Sequence, residues 1–254
     1  MSVWGKVIGG VTGFALGGPL GAILGMIAGH AVDRSQGQAA ERLVHWGQDH
    51  YAMDREQRQV AFSVAVIVLG AKLAKVDGTV TRAEVNAFKE TFHIPAEAVA
   101  DVGRIFNEAR HEATGFEPYA RQIADMFVHE PRVLEELLGG LFYVAKADGA
   151  VSRAEKTFIR AVAQIFGFDE RTFNRILASH IGTTGDMDPY AVLGLGRTAS
   201  DADIKKTYRR LIRENHPDVL IAQGMPPEFV AIANEKMAAI NAAYDCIEKE
   251  RGLR

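Results

Sequence analysis

One segment of this chain is written twice. Ala74-Lys-Val-Asp-Gly-Thr-Val-Thr-Arg-Ala-Glu84 returns as Ala145-Lys-Ala-Asp-Gly-Ala-Val-Ser-Arg-Ala-Glu155, and after a small change in length Phe92-His-Ile-Pro is matched by Phe166-Gly-Phe-Asp. A repeat of this kind predicts two copies of one supersecondary unit, each completing the core of the other. The unit itself is readable. An apolar helix runs into an Asp-Gly turn, and Thr81 with Glu84, or Ser152 with Glu155, forms the capping box that opens a second helix. From Gln38 to Ile181 the periodicity is helical throughout, with turn signals at Asp77-Gly78, Ile94-Pro95, Glu130-Pro131 and Asp148-Gly149 and no convincing strand. The expected fold is all-α: a pseudo-twofold helical bundle over 34–183, with the apolar run from Val60 to Leu73 at its centre.

Ahead of the bundle, Val7 to Val32 contains no Asp, Glu, Lys or Arg. As one helix it would extend about 39 Å, enough to cross a hydrocarbon layer of about 30 Å, so residues 1–33 are expected to form a Gly-rich transmembrane anchor. Glycine recurs at every fourth position, at Gly9, Gly13, Gly17, Gly21 and Gly25 among others. That repeated small-xxx-small ridge lets a second helix approach closely, and it predicts a homodimer joined in the membrane. Pro19 is a candidate kink. Charge leaves the orientation open, with Lys6 on one side and Arg34 and Arg42 on the other.

The third informative stretch is Ile204 to Asp218. Ile204, Tyr208 and Leu211 make an apolar helix face, and Lys205, Lys206, Arg209, Arg210 and Arg213 share the opposite arc of roughly 140°. The helix must stop before Pro217, which places His216, Pro217 and Asp218 in a connection of fixed shape. Asp188 followed by Pro189 opens a short helix upstream, and Ser200 with Asp203 caps the basic one. Downstream, Pro226-Pro227-Glu228 opens a third helix, whose Phe229, Ile232, Met237, Ile240, Tyr244 and Ile247 are expected to face the basic helix's apolar side.

In this order and spacing, residues 184–254 resemble the J-domain of DnaJ-type co-chaperones, whose hallmark is the His-Pro-Asp tripeptide after a basic helix. Val219 departs from the lysine that many members carry there. The duplicated Asp-Gly-x-Val-(Thr/Ser)-x-x-Glu pattern resembles the TerB-like domain of tellurite-resistance proteins. That likeness singles out Asp77, Glu84, Asp148 and Glu155 as weak metal candidates, although capping explains the same residues more simply. The whole order of span, bundle and J-domain is similar to the DjlA-like membrane-anchored co-chaperones of bacteria. The resemblance implies a DnaK-type chaperone as partner, a single pass through the inner membrane with the C-terminal domains in the cytoplasm, and stimulation of the partner's ATPase without catalysis by this chain. A competing reading makes the bundle a membrane-associated, metal-responsive interaction module and the J-domain its chaperone recruiter.

The remaining composition narrows the field. A net charge of −3 gives no global attraction to nucleic acid, and one cysteine, Cys246, permits no disulfide within the chain. No nucleophile elbow, phosphate-cradling loop or paired histidine motif is present, so neither a catalytic site nor a cofactor is expected. The linker at 182–187 is short enough for the bundle and the J-like region to touch.

Overall fold

The structure, a computed structural model, describes residues 3–9, 18–23, 55–76, 82–111, 115–146, 149–181 and 188–253. Among them all regular structure is helical. Helix α2 (Arg55–Ala74) is the axis of the bundle, buried from Gln59 to Ala74. A helix that is apolar all round has to be enclosed on every side. It is long and apolar enough to cross a membrane by composition alone, yet here it forms a protein core.

Helices α3 (Arg82–Thr91), α4 (Val99–His111), α5 (Glu117–Met126), α6 (Pro131–Ala145), α7 (Arg153–Ile165) and α8 (Glu170–Ile181) complete the bundle. The leading helices of the repeat, α2 and α6, pack on each other, while α3 lies on α6 and α7 touches α2. Each copy's second helix therefore meets the other copy's first, as a pseudo-twofold pair must. At the start of α7 the capping box is complete: Ser152 Oγ accepts from the Glu155 N–H at 3.1 Å, and Glu155 Oε2 accepts from the Ser152 N–H at 2.7 Å. Glu155 is thus a capping residue. Asp77, Thr81, Asp148 and the Glu84 side chain lie outside the described residues.

The N-terminal segment departs from the single helix expected over Val7 to Val32. Helix α1 (Val3–Gly9) lies on α2, and its Trp4 is wholly buried, 6.0 Å from the Phe229 ring, with its indole N–H donated to the Phe92 carbonyl at 3.1 Å. A separate helical segment at 18–23 buries Leu20 and Ile23, and the Leu20 N–H reaches Gln122 Oε1 at 2.9 Å. Gly18, at φ +69°, interrupts the right-handed path immediately before Pro19. The left-handed turn is open to glycine, and the proline ring excludes a continuous ladder across it. Of the ridge glycines, Gly9 ends α1, Gly21 is half-buried, and Gly13, Gly17 and Gly25 lie outside the described residues.

The C-terminal region contains α9 (Pro189–Leu193), α10 (Asp201–Glu214), α11 (Pro217–Ala222) and α12 (Val230–Arg251). The caps read from sequence are formed. Asp188 accepts from the Tyr190 N–H, Pro189 occupies the first turn, and Ser200 Oγ accepts from the Asp203 N–H at 3.2 Å. Tyr190, Leu193, Ile204, Leu211, Ile240 and Ile247 form a core of their own. The expected third-helix face is divided, however. Ile240 and Ile247 meet α10, whereas Phe229 and Ile232, with Leu220 and Met225, join the bundle core. Phe229 stands edge-on to Phe62 at 4.9 Å and tilted against Phe92 at 5.0 Å, so the bundle supplies a better apolar site than the hairpin does.

Candidate functional site

The basic helix runs directly into the tripeptide. α10 stops at Glu214, and the buried Asn215 closes it by donating its side-chain amide to the Leu211 carbonyl at 2.7 Å. The tripeptide is the start of the short helix α11 rather than an open loop. His216 is its N-cap and Pro217 takes the first turn, where a missing N–H costs nothing. His216 Nδ1 accepts from the Asp218 N–H at 3.2 Å, which places the ring proton of a neutral imidazole on Nε2. The His216 and Asp218 side chains are 49% and 87% exposed, whereas Leu220, two residues on, is completely buried. A rigid base therefore carries an accessible tip.

Beside the tip, Lys206, Arg209 and Arg213 are exposed and Lys205 is half-buried. Arg210 behaves differently: its guanidinium is paired with Glu214 at 2.9 Å, on the side of the helix that faces the bundle. Tyr208, expected in the core, is half-buried and stacks on Tyr244 at 4.0 Å while donating to Asn241. Arg251, which sequence reasoning did not single out, donates to the Tyr190 hydroxyl at 2.8 Å and to the Ala199 carbonyl at 2.7 Å, tying the end of α12 to α9 and to the loop that leads into α10.

Between bundle and hairpin lies a seam of buried charge. Lys236 of α12 is wholly buried and donates to Glu135 at 2.9 Å and Glu136 at 2.6 Å, both on α6. Arg175 of α8 reaches Glu135 at 2.6 Å, and Arg132 bridges Glu135 and Glu214, the latter at 2.5 Å. Burial alone would raise the Glu135 carboxyl, but Lys236, Arg175 and Arg132 together outweigh it and hold that group well below the usual range. Glu136 is pushed up, because burial prevails when Lys236 is its main cationic neighbour. The available signal was the pair of adjacent carboxylates inside the otherwise apolar run of α6.

An exposed His-Pro-Asp turn between a basic helix and its antiparallel neighbour defines a J-domain protein, and the DnaJ domain model matches residues 188–252. The tellurite resistance protein TerB model matches 63–178, and the co-chaperone DjlA transmembrane domain model matches 1–42. The chain is 30% identical to the co-chaperone protein DjlA of Photobacterium profundum over 277 aligned residues, covering 99% of this chain and all of that protein. It is also 30% identical to the DjlA protein of Shewanella oneidensis over the full length of both, and 31% identical to that of Coxiella burnetii over 98% of each. No solved structure matches. The chain belongs to the DjlA family of co-chaperones, with a transmembrane domain, a TerB-like domain and a J-domain in that order.

Proposed function

We propose that this co-chaperone stimulates ATP hydrolysis and substrate loading by a DnaK-type chaperone through His216, Pro217 and Asp218, and that it performs no catalysis itself. The observation that carries the reading is the exposed carboxylate of Asp218 on a buried footing, next to the exposed Lys206, Arg209 and Arg213 of α10. Lys206, Arg209 and Arg213 would draw in an acidic partner surface, raising the encounter rate and setting orientation more than final affinity. Asp218 would then accept charge-assisted hydrogen bonds from a partner arginine or backbone amide. Because the nucleotide belongs to the partner, the chain acts by contacting one of the partner's conformations better than another. We place the anchor in the bacterial inner membrane as a single pass, with bundle and J-domain in the cytoplasm where that partner resides. Two chains would associate through the glycine ridge.

Single-turnover ATPase measurements with the cognate chaperone test this. His216→Gln and Asp218→Asn should abolish stimulation with the fold unchanged, and undiminished stimulation would overturn the assignment. His216→Asn keeps a side-chain acceptor at the N-cap. If it restored stimulation in full, the histidine would be a cap and nothing more.

A further inference from the structure

We propose that the seam between bundle and J-domain is a binding site for a phosphate-bearing small molecule. A cavity of about 440 Å³ opens there, with Arg132, Arg171, Arg175 and Arg210 on its walls. These arginines come from α6, α8 and α10, so the site exists only when the J-domain sits on the bundle. Charge does not balance across the seam. Among the described residues, Glu135 serves Arg132, Arg175 and Lys236, Glu214 serves Arg132 and Arg210, and Glu136 serves Lys236. No carboxylate among the described residues lies within ion-pair distance of Arg171, whose guanidinium donates to a neutral group, the Gly194 carbonyl, at 3.2 and 2.7 Å. The exposed Asp169 lies within reach of its charge, and one Asp169 oxygen accepts from the Thr172 N–H at 2.8 Å.

The four arginines on the cavity walls thus share two carboxylates, Glu135 and Glu214, an imbalance that a dianion would neutralise. A phosphate monoester carries about −1.5 to −2 charges near neutral pH. Its oxygens match the planar fork of arginine, which forms paired, charge-assisted hydrogen bonds with them. Thr172 and Thr207 add hydroxyls to the lining, while Phe168, Leu193 and Leu195 form an apolar wall. The expected ligand is therefore a phosphate ester with a small apolar portion rather than bare phosphate.

Calorimetric titration of the full-length chain in detergent, with phenyl phosphate and inorganic phosphate as probes at matched ionic strength, tests the site. Phenyl phosphate should bind saturably, one per chain, and more tightly than inorganic phosphate. Arg171→Gln should weaken it by about tenfold, the scale of one lost charged hydrogen bond. Lys206→Gln, on the outer face of α10, should leave it unchanged. Should Arg171→Gln fail to fold, Arg210→Gln on the other side of the cavity is held to the same criterion. The proposal is overturned by absence of saturable heat, by sodium chloride reproducing the effect, or by equal loss in the Lys206 variant. The titration contains no chaperone, so it can fail while ATPase stimulation stands.

Discussion

Lys236 and Glu136, a hundred residues apart, meet at 2.6 Å with both side chains essentially out of water. The contact joins the last helix of the J-domain to the core helix α6 of the bundle. A charge buried this deeply is tolerated only with its partners in place, so the two domains are fitted to one another and not merely strung together.

Removing the lysine should therefore cost more than the ion pair contributes. Lys236→Ala leaves Glu136 without its cation and Glu135 with only its arginines, and it is expected to destabilise the chain by about 3–5 kcal/mol. Replacing the pair together, Lys236→Met with Glu136→Gln, removes the stranded charge and should recover most of that loss. Urea unfolding of both variants decides it, and a Lys236→Ala variant with an unchanged midpoint would contradict the buried contact.

That seam marks where sequence reading stopped. The helices and the caps at Asp188, Ser152 and Ser200 are local signals, carried by residues two to four apart, and the duplication shows in the letters themselves, so all of them were legible. Lys236 on α12 and Glu135 on α6 are ordinary surface residue types, and only a contact across 101 positions takes them out of solvent. Phe229 and Ile232 read as hairpin core because periodicity gives a helix face but not the element that covers it. Arg210 read as one of five equivalent cations although Glu214, four residues on, was a readable partner; only the sharing of that carboxylate with Arg132 depends on where the bundle lies. The tip was legible as residues, yet its footing on Leu220 and Phe229 was not.

His180 should make stability depend on pH. Part of the residue reaches the surface, but its Nε2 is sealed with no hydrogen-bond partner among the described residues, and Gly139 leaves the room for it: a Cβ there would stand 2.6 Å from that nitrogen. Burial first, then the charge of Lys236, lowers the imidazole from its usual range to about 3, with Arg175 and Lys146 adding to the effect and Glu135 opposing it. Between about pH 6.5 and 3 the unfolded chain binds a proton at this histidine that the folded chain refuses. The stabilisation is thus complete above about pH 6.5 and declines below it, by at most about 1.4 kcal/mol per pH unit. Glu136, raised by burial, runs the other way and gains stability on acidification. In a Glu136→Gln background, unfolding free energies between pH 6.5 and 5 should fall with acid, and adding His180→Gln should flatten the slope. A slope that survives that change would place its origin elsewhere.

The five cations of α10 should separate by experiment. Neutralising Lys206, Arg209 and Arg213 together is expected to slow association with the chaperone by about tenfold or more at low ionic strength, and to weaken its dependence on salt. Arg210→Gln removes a charge already engaged by Glu214 and should change the association rate by less than about twofold. Stopped-flow measurements over a range of salt concentrations compare the two, and equal effects would return Arg210 to the outer stripe.

The cap on α7 distinguishes a structural repeat from a metal site. Ser152 and Glu155 satisfy each other's backbone N–H groups, and Glu155 is buried in doing so, which leaves its carboxylate poorly disposed toward a cation. Ser152→Ala removes one of the two bonds and should lower stability by about 1 kcal/mol. Glu155→Gln keeps an acceptor for the Ser152 N–H at N3 and should cost less. If the duplicated acidic residues held a divalent ion instead, Glu155→Gln would be the more damaging change and would abolish any gain in melting temperature from added magnesium, calcium or zinc. Thermal melts of the two variants, with and without those ions, therefore give opposite orders for capping and for metal binding. The closed box at Ser152 predicts that the serine substitution is the worse of the two and that the ions leave the wild-type melt where it was.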